Sequence, residues 1–413
     1  MNKEGIIKKV KNGLKMATVA LIGAATVSAG AVAYANLQYA DYTTTDEMYN
    51  IAEYYDCDTS YIRTINGHNV RMKHNGDEPI YVCVDSAYTD EEKEAVISSL
   101  DSFFGLIGKI NSKYRYEIVD QEKFDSVGNK TKIYYTLKED NDFIVNNAAA
   151  DIATKVKNIS ILTTKRMAND FVISINRSHL SEQNDPKQLP YALRHELGHT
   201  ALNDVYEIED RQSVYKKFQC NTYMNPAVGP ELEMFTPNDV KCFISYFAES
   251  EEEAKALEPF LKEYTKNYYE NFSKKCIEKG GQTKEFNKTD FEFESNLTST
   301  ALDGTVYKYL YNLKVEDGKY FFEIIDEETN KILESCEGES FLINGMVVLK
   351  DVKLKKGIQP YSKYDSFEKG VVQDLVVGCF EGGYYSRTVC LYDLFLNATY
   401  FGDVYELEKG IGL

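Results

Sequence analysis

Hydrophobic positions recur along this chain with two different periods, and the change of period divides it. PIYVCVD (79–85) is a continuous apolar run with β-branched residues, the pattern of a buried strand. Behind it, Val96, Ile97, Leu100, Phe103, Phe104 and Ile107 return at helical spacing. Thr89 with Glu92 three residues on makes a capping box, so a helix is predicted from there to about Ile107. YRYEIVD (114–120), KIYYTLK (132–138), NISILTT (158–164) and FVISIN (171–176) read as further strands. Pro186 and Pro190 bracket the start of the next helix.

From 274 to 304 the composition turns polar and includes Gly280-Gly281, which reads as a linker. Beyond it only period-two segments remain. YKYLYNLKV, KYFFEIID, KILESC and MVVLKDVKL are strand-like, and Asp317-Gly318 and Asn344-Gly345 are hairpin signals. The expected class is therefore α+β: a mixed-sheet domain over 79–273, then an all-β accessory domain over 305–413 that contains no histidine.

The first 35 residues stand apart. Five lysines precede an uncharged stretch from Met16 to Ala35 that ends in Ala33-Tyr34-Ala35, the layout of a secretory signal peptide, with an uncleaved anchor as the alternative. Residues 36–78 are polar and tyrosine-rich and read as a lead-in or pro-segment, with His68 and His74 expected at the surface. The segment 1–35 carries +4 of a chain total of −18, leaving −22 on the rest. Such a balance argues against nucleic acid as a partner, because phosphates are met by Lys and Arg. All eight cysteines follow the signal and none forms C-x-x-C, so disulfides in an exported chain are expected. Compact spacing suggests Cys220 with Cys242 and Cys379 with Cys390.

Chemistry concentrates in RHELGHTALNDVY (194–206). His195 and His199 are four apart, so one helical face presents both imidazoles to a single ion. Glu196 beside the first histidine can take a proton from water held there without itself being a ligand. The competing reading is a surface helix with two incidental histidines. With only five histidines in the chain, the metal reading is preferred. No histidine follows His199, and His179 reads as a loop residue, so the third ligand is expected to be a carboxylate.

At these residues the chain resembles the metzincin-like zinc metallopeptidases. The resemblance is carried by HELGHTALNDVY and by YMNPAVGPELEMFTPNDVKCFISYF (223–247). It implies a zincin-like catalytic domain binding Zn2+, a turn with Met224 beneath the metal, and a final helix with Thr236 capping and Pro237 in its first turn. Two departures stand out: the family glycine is Leu202 here, and the family's third-ligand position is Val205. A one-residue deletion would restore the pattern through Asn203 and make Asp204 the ligand, provided that the helix breaks by Asn203. Glu207, Glu249 and Glu252 are the alternatives. Tyr223 and Tyr206 are candidates to assist an oxyanion, although packing is the commoner role of a tyrosine.

The expectation is thus a secreted zinc endopeptidase acting on protein or peptide substrates. Glu196 would be its base, His195, His199 and Asp204 its ligands, and an edge strand near 158–164 would receive the substrate. Two rivals are a gluzincin-type hydrolase with a downstream glutamate ligand, and a non-catalytic binding protein with a decayed core. A membrane association would follow only from an uncleaved signal.

Overall fold

The computed structural model describes residues 45–57, 64–65, 68–138, 150–158, 166–177, 188–202, 222–224, 234–280, 282–284, 286–300, 304–355, 371–380, 389–393 and 398–406. The fold is mixed α+β, with one largely parallel sheet and one curled antiparallel sheet. The described residues form two compact units. The first draws on Met1–Tyr55, Arg63–His179 and Phe243–Ala256; the second draws on Asp56–Ile62, Leu180–Cys242 and Leu257–Leu413. Among the described residues no helix is long and apolar enough to cross a membrane.

In the first unit the elements run α1 (Thr45–Tyr54), β1 (Thr64–Ile65), β2 (His68–Met72), β3 (Ile80–Val84), α2 (Asp90–Ile110), β4 (Tyr116–Ile118), α3 (Gln121–Ser126), β5 (Lys132–Leu137), β6 (Ala150–Asn158) and β7 (Arg166–Ile175). The sheet order is β1-β2-β7-β5-β3-β4, with β6 antiparallel on β7. The pairings of β2 with β7, β7 with β5, β5 with β3 and β3 with β4 are all parallel. A parallel pair needs a crossover, and α2 supplies it between β3 and β4. The predicted capping box opens α2, with Thr89 Oγ1 accepting from Glu92 N–H and the Glu92 carboxylate accepting from Thr89 N–H. Its Val96, Leu100, Phe103 and Ile107 are fully buried, as are Ile133, Tyr135, Phe171, Ile173 and Ile175 on the strands.

One expectation reaches beyond the described residues and one is corrected here. The strand expected at 158–164 lies, apart from Asn158, beyond the described residues; the described strand before it is β6, in register from Ala150 opposite Ile175 to Asn158 opposite Arg166. The weak alternation of Ile152, Thr154 and Val156 carries β6. His74 is not at the surface: it is 5% exposed. Its Nδ1 accepts from Gly76 N–H at 3.0 Å, its Nε2 lies 3.9 Å from the Glu249 carboxylate, and its ring meets Tyr114 edge-on. The lead-in contributes β2 to the sheet, and His74 follows directly behind it.

In the second unit come α4 (Gln188–Gly198), α5 (Pro237–Phe247, whose last five residues belong to the first unit) and α6 (Glu258–Gly280). The strands are β8 (Gln282–Lys284), β9 (Phe291–Thr300), β10 (Val306–Glu316), β11 (Lys319–Asp326), β12 (Lys331–Ile343), β13 (Met346–Leu354), β14 (Val371–Phe380), β15 (Val389–Asp393) and β16 (Ala398–Glu406). The stretch 274–304, expected as a linker, therefore holds the end of α6 and strands β8 and β9. Its polarity belongs to the outward positions of these elements, since Phe291 and Phe293 are buried.

From β9 to β16 each strand pairs antiparallel with the next, and β16 returns to pair with β9. The curled sheet thereby closes on itself as an eight-stranded ring. Both predicted hairpin turns have positive φ at their two central residues, 51° and 72° at Asp317-Gly318 and 50° and 70° at Asn344-Gly345. Tyr309, Tyr311, Leu313, Tyr320, Phe322, Ile324, Val347 and Leu349 fill one buried cluster from alternate positions. Met346, Val348 and Val376 face the other way and are covered by Tyr268, Tyr269, Phe272 and Cys276 of α6. A strand buried on both faces explains the unbroken apolar run MVVL.

Cys57 and Cys242 form a disulfide, with Cα atoms 6.0 Å apart across 185 residues of sequence. This overturns the pairing of Cys220 with Cys242, which sequence proximity alone had suggested. In β14 and β15, Cys379 stands opposite Val389 and Cys390 opposite Gly378. The side chain of Cys390, the expected partner of Cys379, lies outside the described residues.

Arg177 grips the Glu92 carboxylate through Nε and Nη2, both at 2.7 Å. These hydrogen bonds hold the Glu92 carboxyl below the usual carboxylate range. The associated stability is present above the unfolded value of about 4.3 and is lost as pH falls through the lower folded value. Urea unfolding followed downward from pH 7 is expected to show a steeper loss of midpoint in the wild type than in Arg177→Ala. Equal slopes would show that the ion pair contributes nothing. Thr89→Ala should cost about 1 kcal/mol at neutral pH through loss of the cap.

Candidate metal centre

Helix α4 carries Pro190 in its first turn, where a missing N–H removes no helical hydrogen bond. Leu193 and Leu197 are fully buried and fix the face on which the helix rests. The helix ends by tightening. His199 N–H is shared between the carbonyls of His195 and Glu196, at 3.3 and 3.2 Å. Thr200 N–H then bonds Leu197 O and Ala201 N–H bonds Gly198 O, both at three-residue spacing and 3.0 Å. Thr200 Oγ1 donates to Leu197 O as well. Leu202 N–H makes a last four-residue bond to Gly198 O at 2.9 Å, although the helix itself ends at Gly198. Asp204, Tyr206, Glu207 and His179 lie outside the described residues.

His195, Glu196 and His199 come together, with one ligand-capable atom from each lying within 4.8 Å of the others. His195 and Glu196 are both 7% exposed. The two rings meet edge to face, centroids 4.9 Å apart. Each ring is tied by Nδ1 to a main-chain carbonyl: His195 to Tyr223 O at 3.1 Å, and His199 to Leu202 O at 3.0 Å. A carbonyl can only accept, so both Nδ1 atoms carry the proton and Nε2 is the nitrogen that each ring offers as a lone pair. Metal-binding histidines are commonly oriented by such a bond. The donor set thus fits a borderline-soft divalent ion such as zinc, with a carboxylate placed beside the ligands.

The turn Thr222–Met224 sits directly against this helix. Met224 is fully buried, and a Cβ built on Gly198 would collide with its Sδ and lie 3.2 Å from its Cε. Gly198, the residue before the second histidine, thus allows close approach of the methionine, and a side chain there would force the end of Met224 to move. Phe235 closes the same space, 3.4 Å from that position. Tyr223 is fully buried between Tyr191 and Phe235, with ring centroids at 4.9 and 4.8 Å, and its hydroxyl points to Tyr191 O. A side chain held this way packs the core. The contribution of Tyr223 to the site is its carbonyl.

One residue that the sequence reading passed over organises the turn. Asp239, fully buried in the first turn of α5, accepts from Tyr223 N–H at 2.8 Å, from Thr236 N–H at 2.8 Å and from Thr236 Oγ1 at 2.9 Å. Its other oxygen accepts from Thr222 Oγ1. Met224 N–H in turn donates to Thr222 Oγ1 at 3.1 Å. Burial pushes the Asp239 carboxyl up, and these hydrogen bonds pull it back. The signal was present in TPND, since Thr236 and Asp239 stand at capping-box spacing. Thr236 does cap α5, with Asp239 N–H donating to its Oγ1 at 3.3 Å. The alternative ligand Glu249 is engaged by Lys113 at 2.7 Å and by Asn111 at 3.2 Å. Glu252 is exposed on the short helix Glu251–Ala256.

Gly198→Ala should destabilise the protein by about 1–3 kcal/mol through overpacking against Met224. Adding Met224→Ala should relieve part of that cost, so the double variant measured by chemical denaturation should be less than additive. Strict additivity would show that glycine and methionine do not press on one another.

Comparisons of the chain with protein-family models, with curated proteins and with solved structures found no match, so the description of this centre rests on its own residues.

Proposed function

We propose that the chain is an exported zinc-dependent endopeptidase of metzincin-like type. The observation that carries this reading is the orientation of two adjacent imidazoles by carbonyls, with a buried glutamate beside the first. A site that only holds a metal has no use for that glutamate.

A bound zinc would supply Lewis-acid polarisation of the scissile carbonyl and a more acidic water. The chain's own residues do the rest. His195 and His199 would hold the ion through Nε2, and Asp204 is proposed as the third ligand. Glu196 takes the proton of the attacking water and returns it to the departing amine. The fully buried Met224 and Phe235 wall off the floor of the centre and limit its contact with solvent. The disulfide between Cys57 and Cys242 fits an oxidising, extracellular setting. The rival in which a downstream glutamate completes the site is less favoured, because Glu249 is already engaged by Lys113 and Asn111.

Elemental analysis of the purified chain should find about one zinc per molecule, the ratio that a single His-His-carboxylate site predicts. Asp204→Ala should lower that content markedly. Glu196→Ala should retain the metal and lose cleavage of a denatured-protein or peptide-library substrate by at least about 100-fold. Cleavage that survived this change would sink the mechanism. A metal-loaded wild type with no cleavage of any peptide would favour a binding protein instead.

A further inference from the structure

We infer that Asp239 is the positioning residue of the metal centre: it acts on His195 through the Thr222–Tyr223–Met224 turn, without touching either imidazole. This inference rests on the metal-site reading above and extends it to a residue outside the ligand set.

The turn has three polar main-chain groups that matter, and Asp239 or its partner holds two of them. Tyr223 N–H is fixed by Asp239 Oδ2 at 2.8 Å. Met224 N–H is fixed by Thr222 Oγ1, which itself donates to Asp239 Oδ1. With both flanking amides pinned, the peptide planes on either side of Tyr223 have one orientation, and the third group, Tyr223 O, is left aimed at His195 Nδ1 at 3.1 Å. The carbonyl then selects the Nδ1–H tautomer and the ring direction that presents Nε2. The same carboxylate closes the N-terminus of α5 through Thr236 N–H and Oγ1. One buried group therefore couples the start of that helix to the tautomer of a ligand.

All four residues of this path, Thr222, Tyr223, Thr236 and Asp239, are fully buried. Water cannot replace a bond that is removed, so the turn has to find a new arrangement. His199 depends on a different acceptor, Leu202 O. The effect of Asp239 should consequently fall on His195 and spare His199.

The test uses the full chain labelled with 15N-histidine, with His195 and His199 assigned by His195→Gln and His199→Gln. In the metal-free wild type both rings should be Nδ1–H tautomers. In Asp239→Asn, and in the milder Thr222→Val, His195 should become a tautomer mixture while His199 is unchanged. Thr222→Ser, which keeps the hydroxyl, should restore the wild-type signal. Zinc affinity measured by chelator competition should fall about 10- to 100-fold in the first two variants. Val352→Ala, a destabilising change in the ring's core, should leave both readouts alone. Folded Asp239→Asn and Thr222→Val proteins that keep the His195 tautomer and the zinc affinity would overturn the inference, as would failure of Thr222→Ser to restore them. A wild type that takes up no zinc would overturn the peptidase reading instead, and the tautomer comparison would still decide the role of Asp239.

Discussion

A carboxylate removed from water has to be given hydrogen bonds by the protein, and at Asp239 that demand shapes the whole centre. Leaving such a group unsatisfied would cost several kcal/mol, about as much as the net stability of a marginal domain. The chain meets the demand with two main-chain amides and two threonine hydroxyls drawn from segments more than ten residues apart. Satisfying the carboxylate and building the turn are therefore the same event. The close contact of Met224 with Gly198, the burial of Tyr223 and the direction of its carbonyl all follow once that turn is set.

The sequence was most readable where a local rule and a burial requirement coincided. Thr89 and Glu92 lie at capping-box spacing, and the helix begins there with both reciprocal bonds. Asp317-Gly318 and Asn344-Gly345 announce two-residue turns because few other pairs tolerate two left-handed positions. Reading failed where long-range context decides. β6 is polar enough to pass for a loop and becomes a strand only by pairing with β7 along its length. His74 looked solvated because nothing in its neighbourhood foretells the sheet that β2 joins.

At the centre, H-E-x-x-H gave the face, the spacing and the glutamate beside the first histidine. It could not give the acceptors that orient the rings, because a carbonyl is common to every residue and leaves no signature. Asp239 was nearer to legibility: its spacing from Thr236 marks a helix start, yet the spacing does not say that the same oxygens also hold residues 222 and 223. The disulfide was illegible for a similar reason. Cys57 and Cys242 are neighbours in space alone, and their separation of 185 residues is beyond any rule of proximity.

The closed ring has a kinetic side. Seven of its eight pairings join strands consecutive in sequence, and each can form as a hairpin or meander as soon as its second strand is available. The eighth joins Asp403–Glu406 of β16 to Phe291–Glu294 of β9, across roughly a hundred residues. During synthesis β16 is the last of the eight to emerge, so until then β9 presents an unpaired edge with its apolar face uncovered. Closure of the ring is consequently a late, long-range event that waits for the preceding hairpins to be in place.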